Sequence, residues 1–255
     1  MKLWHVKIIV LVFTIAVFMQ TVAAVPAEPA GDKGNGPGET EIHSHGTGPY
    51  WYLDKITFIH YAKPPGPDKG QKPVVCYKLL GPKWPDTGLP IEYHINPADS
   101  GLDVSFVQGA VTMSTEQWDG GTFTELFADL HVIDGTATYN DASPDNINSI
   151  SFGDIQDNSI IAVTNIWYTR AGKRIVDSDI LFNTYYPWGN ADTDSALMDL
   201  QNIATHEEGH TIGLGDLYST ACNPVTMYGY STNGETQKRT LESPDVAGLQ
   251  KLYGS

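Results

Sequence analysis

His206-Glu207-Glu208-Gly209-His210-Thr211-Ile212-Gly213-Leu214-Gly215-Asp216 constrains its own structure more tightly than any other segment of the 255-residue chain. Two histidines four apart on a helix project from one face, one turn from each other, so their imidazoles can chelate a single zinc ion. Glu207 stands beside them as a candidate general base. Gly213 lies where the helix can break into a left-handed turn without a Cβ penalty. Asp216, three residues on, is a carboxylate that the turned chain can return to the same metal. Glu235 and Glu242 are the alternative third ligands, on later segments.

Working outward, residues 195 to 210 carry Leu197, Leu200, Ile203 and Ala204 at helical spacing, which predicts a helix whose apolar side faces a core. Residues 217 to 242 hold too many Gly, Asn, Thr and Ser for regular structure. Ser243-Pro244-Asp245 then starts a last helix, with Ser as N-cap, Pro in the first turn and Val246, Leu249 and Leu252 facing inward. Upstream, residues 103 to 118 read as a first long helix. Strands are expected at 91 to 95, 128 to 133, 150 to 152, 160 to 168 and 174 to 182. The fold class is therefore α+β.

The N-terminal quarter is different in character. Residues 1 to 24 have Lys2 and Lys7, an apolar run from Ile8 to Met19 and small residues at 22 to 24, the pattern of a secretory signal peptide. Residues 25 to 48, rich in Pro, Gly, Glu and Thr, read as a flexible linker in which His43 and His45 carry no function. Residues 49 to 73 turn aromatic and β-branched before breaking at Pro64-Pro65-Gly66-Pro67. They form an N-terminal extension, either a strand laid on the domain or an inhibitory pro-segment, ahead of a main domain at 74 to 255. No later segment is apolar and long enough to span a bilayer. The formal charge of −15 repels nucleic acid and anionic membranes. Two cysteines in an exported chain favour a Cys76–Cys222 disulfide, with free thiols as the alternative.

The zinc motif together with Pro224-Val225-Thr226-Met227-Tyr228 resembles the metzincin metallopeptidases, in which a Met-containing turn forms an apolar floor under the metal. The matrixin branch is the most similar. Lys83-Trp84-Pro85 resembles the start of its catalytic domain, and residues 243 to 254 resemble its closing helix. The resemblance implies a twisted mixed sheet with two long helices, a Met-turn at Met227 and a C-terminal helix. It also implies a secreted, monomeric zinc endopeptidase of the extracellular matrix type, acting on protein or peptide, with His206, His210 and Asp216 as ligands and Glu207 as base. A zinc-binding but non-catalytic interaction domain is the alternative. The peptide would pair with an edge strand at 159 to 165, and Tyr228 and Tyr230 would line the pocket beyond the cut bond. Calcium is a further family trait, with Asp177 and Asp179 or Asp154 and Asp157 as candidate holders.

Three features depart from the matrixin pattern. The third ligand is Asp216, as in snapalysin-like metzincins, where matrixins have His. Cys76 does not sit in the pro-segment motif that places a cysteine on the zinc. No histidine-rich structural zinc site is present, and His60, His94 and His131 read as ordinary strand histidines.

Overall fold

In the computed structural model, residues 40–62 and 75–255 are described. The stretch expected to be a signal peptide, the expected linker as far as residue 39 and the proline break at 64–67 lie outside the described residues. Ten strands and three α-helices follow in chain order: β1 (Glu41–His45), β2 (Leu53–Ala62), β3 (Tyr93–Ile95), α1 (Val104–Asp119), β4 (Val132–Ile133), β5 (Asn148–Gly153), β6 (Ile160–Thr169), β7 (Ile175–Asn183), β8 (Trp188–Gly189), β9 (Met198–Asp199), α2 (Leu200–Thr211), β10 (Tyr230–Ser231) and α3 (Ser243–Tyr253). The α+β class is as expected. The main sheet runs β1-β2-β6-β7-β5-β3-β4, with β10 following β1 along the edge of β2 that faces away from β6. β3, β4, β5 and β7 are mutually parallel, whereas β6 runs antiparallel to β7 and β2 antiparallel to β6.

β6, and β7 from Ile180 to Phe182, carry consecutive apolar residues because both faces of the sheet are covered there. On one face Ile161, Ile166, Ile180 and Phe182 join the helices in the main core. On the other, Ile160, Val163 and Leu181 pack with Ile59 and Ile155 in a smaller cluster. α1 buries Val107, Ala110, Val111 and Trp118, and it is tied to α2 by polar contacts as well as packing. Trp118 Nε1 donates to the Thr205 carbonyl at 2.9 Å, and Thr205 Oγ1 donates to Ser114 Oγ at 3.1 Å.

The second helix begins later than its periodicity suggests. Residues 198 and 199 pair with β8 instead, and Asp199 becomes the N-cap, accepting from the Asn202 N–H at 2.9 Å. The strand expected at 128 to 133 shrinks to Val132–Ile133, since Phe127 makes its own bridge to Ile91 and Leu130 is exposed. In α3 the cap is Glu242 rather than Ser243. Glu242 and Asp245 form a reciprocal capping box, with Pro244 in the first turn.

Residues 41 to 48, assigned to a flexible linker by composition, are instead structured. β1 pairs with β2 along its whole length, and Gly48–Tyr50 forms a 3-10 turn. Ion pairs offset the scarcity of apolar groups: His45 Nδ1 lies 2.8 Å from Asp54 Oδ1, and Lys78 pairs with Glu41. Ile42 supplies the one apolar contact, against the smaller cluster.

Candidate metal centre

α2 carries His206, Glu207 and His210 at its buried end, and Gly213 at φ 103° turns the chain back. A Cβ at Gly213 would stand 2.5 Å from the Pro82 carbonyl oxygen, so both the conformation and the close approach require glycine. The return brings Asp216 Oδ1 to 3.1 Å from His206 Nε2 and 3.6 Å from His210 Nε2. His206 Nε2 and both oxygens of Asp216 are buried without a hydrogen-bond partner. Leaving such atoms unpaired costs about 1–3 kcal/mol each, a cost that a cation bound between them would remove. One donor atom from each of the three residues can be chosen with all within 4.8 Å of one another.

The protonation pattern suits a cation. His206 Nδ1 donates to the Thr226 carbonyl at 2.8 Å and His210 Nδ1 to the Leu214 carbonyl at 2.9 Å, which leaves Nε2 as the lone-pair atom of each ring. Burial pushes His206 down to about 4, so it is neutral. Burial alone would raise the Asp216 carboxyl, but His210 and His206 beside it hold it well below the usual carboxylate range. The same carboxylate, against the effect of burial, raises His210, so a cation binding there would displace that proton; His206 Nε2, His210 Nε2 and the Asp216 carboxylate, converging in a dry pocket, fit a zinc ion.

Distant elements fix this geometry. Asp245 of α3 accepts from the Thr226 N–H at 2.9 Å and the Met227 N–H at 3.3 Å, so the last helix pins the turn whose carbonyl orients His206. Met227 is buried beneath α2, where a Cβ on Gly209 would fall 2.3 Å from its Sδ. Trp84 Nε1 donates to the Thr211 carbonyl at 2.9 Å and Tyr253 Oη to the Ile212 carbonyl at 2.8 Å, satisfying carbonyls that the end of α2 leaves free. Residues 78–80 bond to the turn itself, Leu80 N–H to the Gly213 carbonyl and Gly215 N–H to the Lys78 carbonyl. Cys76 and Cys222 are joined by a disulfide that anchors this segment.

Glu207 is fully buried and both of its oxygens are engaged. Thr164 Oγ1 of β6 donates to Oε2 at 2.6 Å, and His60 Nδ1 of β2 donates to Oε1 at 2.9 Å. His60, read as an ordinary strand histidine, therefore sits at the centre of the site. Phe58, two residues before it, stacks on His210 with ring centroids 4.0 Å apart. The expected edge strand at 159 to 165 is not an edge here, because β2 pairs along β6 from Leu53 to Tyr61. Apolar alternation puts Ile56 and Phe58 toward α2, and the matching backbone of β6 completes the ladder.

Tyr228 and Tyr230 are both buried, with ring centroids 5.8 Å apart, and the Tyr230 backbone pairs with Tyr61. Asp177 and Asp179 spend their oxygens on the loop that follows Asn140: Asp177 accepts from Asp145 and Asn146 N–H, and Asp179 from Asn140 and Ser149 N–H. Asp157 accepts from Ser159, and Asp154 from Gln156. His94 pairs with Asp134, and His131 lies 3.2 Å from Gln108. Glu208 lines a water-sized cavity of about 10 Å³ with Tyr93 and Thr211, and burial pushes its carboxyl well up.

Thr164, Thr226, Asp245 and His60 escaped sequence reading because each acts across a long separation. His60 left one faint signal: it continues the Ile56, Phe58 alternation of a strand that is otherwise apolar on that face.

A family profile described as matrixin matches residues 83–254. The chain is 34% identical to matrix metalloproteinase-25 of Homo sapiens over 84 residues, 32% of this chain and 15% of that protein. It is 47% identical to matrilysin of Homo sapiens over 51 residues, 20% of this chain and 18% of that protein. A third relative, metalloendoproteinase 1-MMP of Arabidopsis thaliana, is 44% identical over 57 residues, 22% of this chain and 15% of that protein. The matched stretches thus span less than a fifth of these relatives. Among the described residues, no helix is long and apolar enough to cross a membrane.

Proposed function

The chain belongs to the matrixin family, and on that footing we propose that it is a secreted zinc-dependent endopeptidase with His206, His210 and Asp216 as metal ligands and Glu207 as general base. The observation that carries this reading is the set of buried, unpartnered donor atoms on His206 and Asp216, facing each other across 3.1 Å. The aspartate in place of the usual third histidine is compatible with activity, since two His and one carboxylate serve other catalytic zinc sites.

Bound zinc supplies a Lewis acid that polarises a carbonyl and lowers the pKa of water. Glu207 takes up a proton at a carboxylate oxygen and returns it to the departing amine nitrogen. Thr164 fixes the carboxylate through Oε2, which leaves Oε1 for the proton once His60 has withdrawn. An extended peptide pairs its backbone with β6, and the Tyr228–Tyr230 segment walls the pocket on the other side. Export is supported by the disulfide together with the N-terminal apolar run. The acidic charge makes proteins and peptides better partners than nucleic acid.

The test uses full-length chain nicked with trypsin, after which trypsin is quenched. Wild type is expected to hold one zinc and cleave casein. Glu207→Ala, treated identically, should keep its zinc and lose at least ~100-fold in rate, the usual scale for a lost acid–base group. Equal cleavage by the two proteins would sink the peptidase reading.

A further inference from the structure

The segment after the Met-turn, whose composition argues against regular structure, is nevertheless extended at Tyr230–Ser231 as β10, and a buried lysine holds it there. Lys238 is fully buried, and its ammonium donates to the Tyr230 carbonyl at 2.8 Å, to Ser231 Oγ at 2.9 Å and to the Glu235 carboxylate. The same group lies 6.0 Å from the centre of the Tyr228 ring. A methionine would fill this volume without taking a charge out of water, so packing alone does not call for lysine.

Lys238 is itself fixed to the helix that carries the candidate metal ligands. Its backbone N–H donates to Asn202 Oδ1 at 2.7 Å, and Asn202 lies one turn before His206 on α2. Arg239, next in the chain, donates through Nε to Asp199 Oδ1 at 2.8 Å, at the N-cap of the same helix. A line of contacts therefore runs from α2 through Lys238 to the backbone of β10. β10 in turn pairs parallel with Tyr61 and Ala62, and His60, just before them, packs on His206 with ring centroids 4.2 Å apart. A peptide that runs antiparallel to β6, as β2 does, passes His206 and then meets β10 with the residues that follow the cut bond.

We propose that Lys238 is a positioning residue for the substrate: by tying Tyr230 and Ser231 to α2 it presents the β10 backbone to the peptide segment beyond the cut bond, so that tight binding requires several residues on that side; this rests on the zinc-peptidase reading above. The lysine acts through β10, whose backbone makes the contact. Its loss therefore weakens peptides that reach β10 and largely spares those that stop short of it.

Glu207→Ala, nicked and quenched as above, serves as a chain that binds peptide without cutting it. Two peptides are copied from a casein bond that wild type cleaves, one ending at the first residue past the bond and one running several residues further. Adding Lys238→Met is expected to weaken the longer peptide roughly tenfold and the shorter one far less, the scale of a lost hydrogen bond to a charged group. Ser231→Ala, which removes one acceptor of the ammonium, should move the ratio of the two affinities the same way. Any peptide must displace β2, but that cost enters both affinities and cancels in their ratio. Equal weakening of both peptides, the mark of a purely structural role, would overturn the proposal, as would an unchanged ratio in folded Lys238→Met. Should Lys238→Met fail to fold, an unchanged ratio in Ser231→Ala overturns it instead. A wild-type chain that cuts no casein would bring down the underlying peptidase reading, and this proposal with it.

Discussion

Gly209, between the two motif histidines, and Gly109, in the middle of α1, are both helical glycines, but they meet different surroundings. A Cβ on Gly109 would meet nothing within 4 Å, whereas one on Gly209 would meet Met227 Sδ at 2.3 Å and Trp118 Cζ2 at 2.8 Å. Alanine gains about 1 kcal/mol over glycine in a helix interior. Crowding a packed core costs about 1–3 kcal/mol, and the rigid Trp118 ring, held by its bond to Thr205, leaves little room to yield. The same substitution should therefore raise the thermal midpoint at 109 and lower it at 209. Calorimetry of the two single variants decides it, and a stabilised Gly209→Ala would mean that the Met-turn does not press against α2.

At the scale of elements, what local sequence encodes was legible and what pairing encodes was not. α2 and the turn at Gly213 could be read because a helical repeat and a left-handed glycine are local signals. Asp216 reaches its place by that turn alone. β1 is hidden from composition because its stability comes from pairing with β2 and from charged groups on residues 54 and 78, none of which its own residues reveal. β2 falls in the stretch that reads either as a strand laid on the domain or as an inhibitory pro-segment, and the cleft it occupies is built by β6, β10 and α2, far downstream. The segment 76–80 is a similar case: it supports the ligand turn through Lys78 and Leu80, and one disulfide holds it to Cys222. A bridge that closes a loop of 146 residues restricts the unfolded chain strongly, and losing a native disulfide typically costs about 2–5 kcal/mol. Replacing Cys76 and Cys222 together with serine should lower the thermal midpoint by several degrees, at ~2–4 °C per kcal/mol for a chain of this size. A midpoint identical to that of the oxidised wild type would show that the strand bonds alone secure the turn.

Across the whole molecule, burial has shifted acids and bases in opposing directions, so its overall pH response hides large terms. Burial raises Asp119 and Asp177 to about 6 and Asp179 to about 7. Each then keeps a proton in the folded state that the unfolded chain releases near 4. Their contribution to stability is complete below the unfolded value and is lost as pH rises through the folded one. Burial lowers His60 to about 3 and His206 to about 4, and for these the unfolded chain binds the extra proton, so stability falls as pH drops below about 6.5. The two sets offset each other between pH 4 and 6.5, and metal binding adds its own pH dependence. A difference measurement on metal-free protein removes that cancellation. Asp179→Asn retains an oxygen for Ser149 but has no ionisation to suppress, so its stability relative to wild type should improve from pH 5 to pH 7.5. The gain is at most about 1.4 kcal/mol per pH unit within the window that ends near 7. Urea unfolding of both proteins at the two pH values gives the sign directly: a difference that stays flat, or that grows against the variant, would mean that the Ser149 and Asn140 hydrogen bonds hold Asp179 ionised despite its burial.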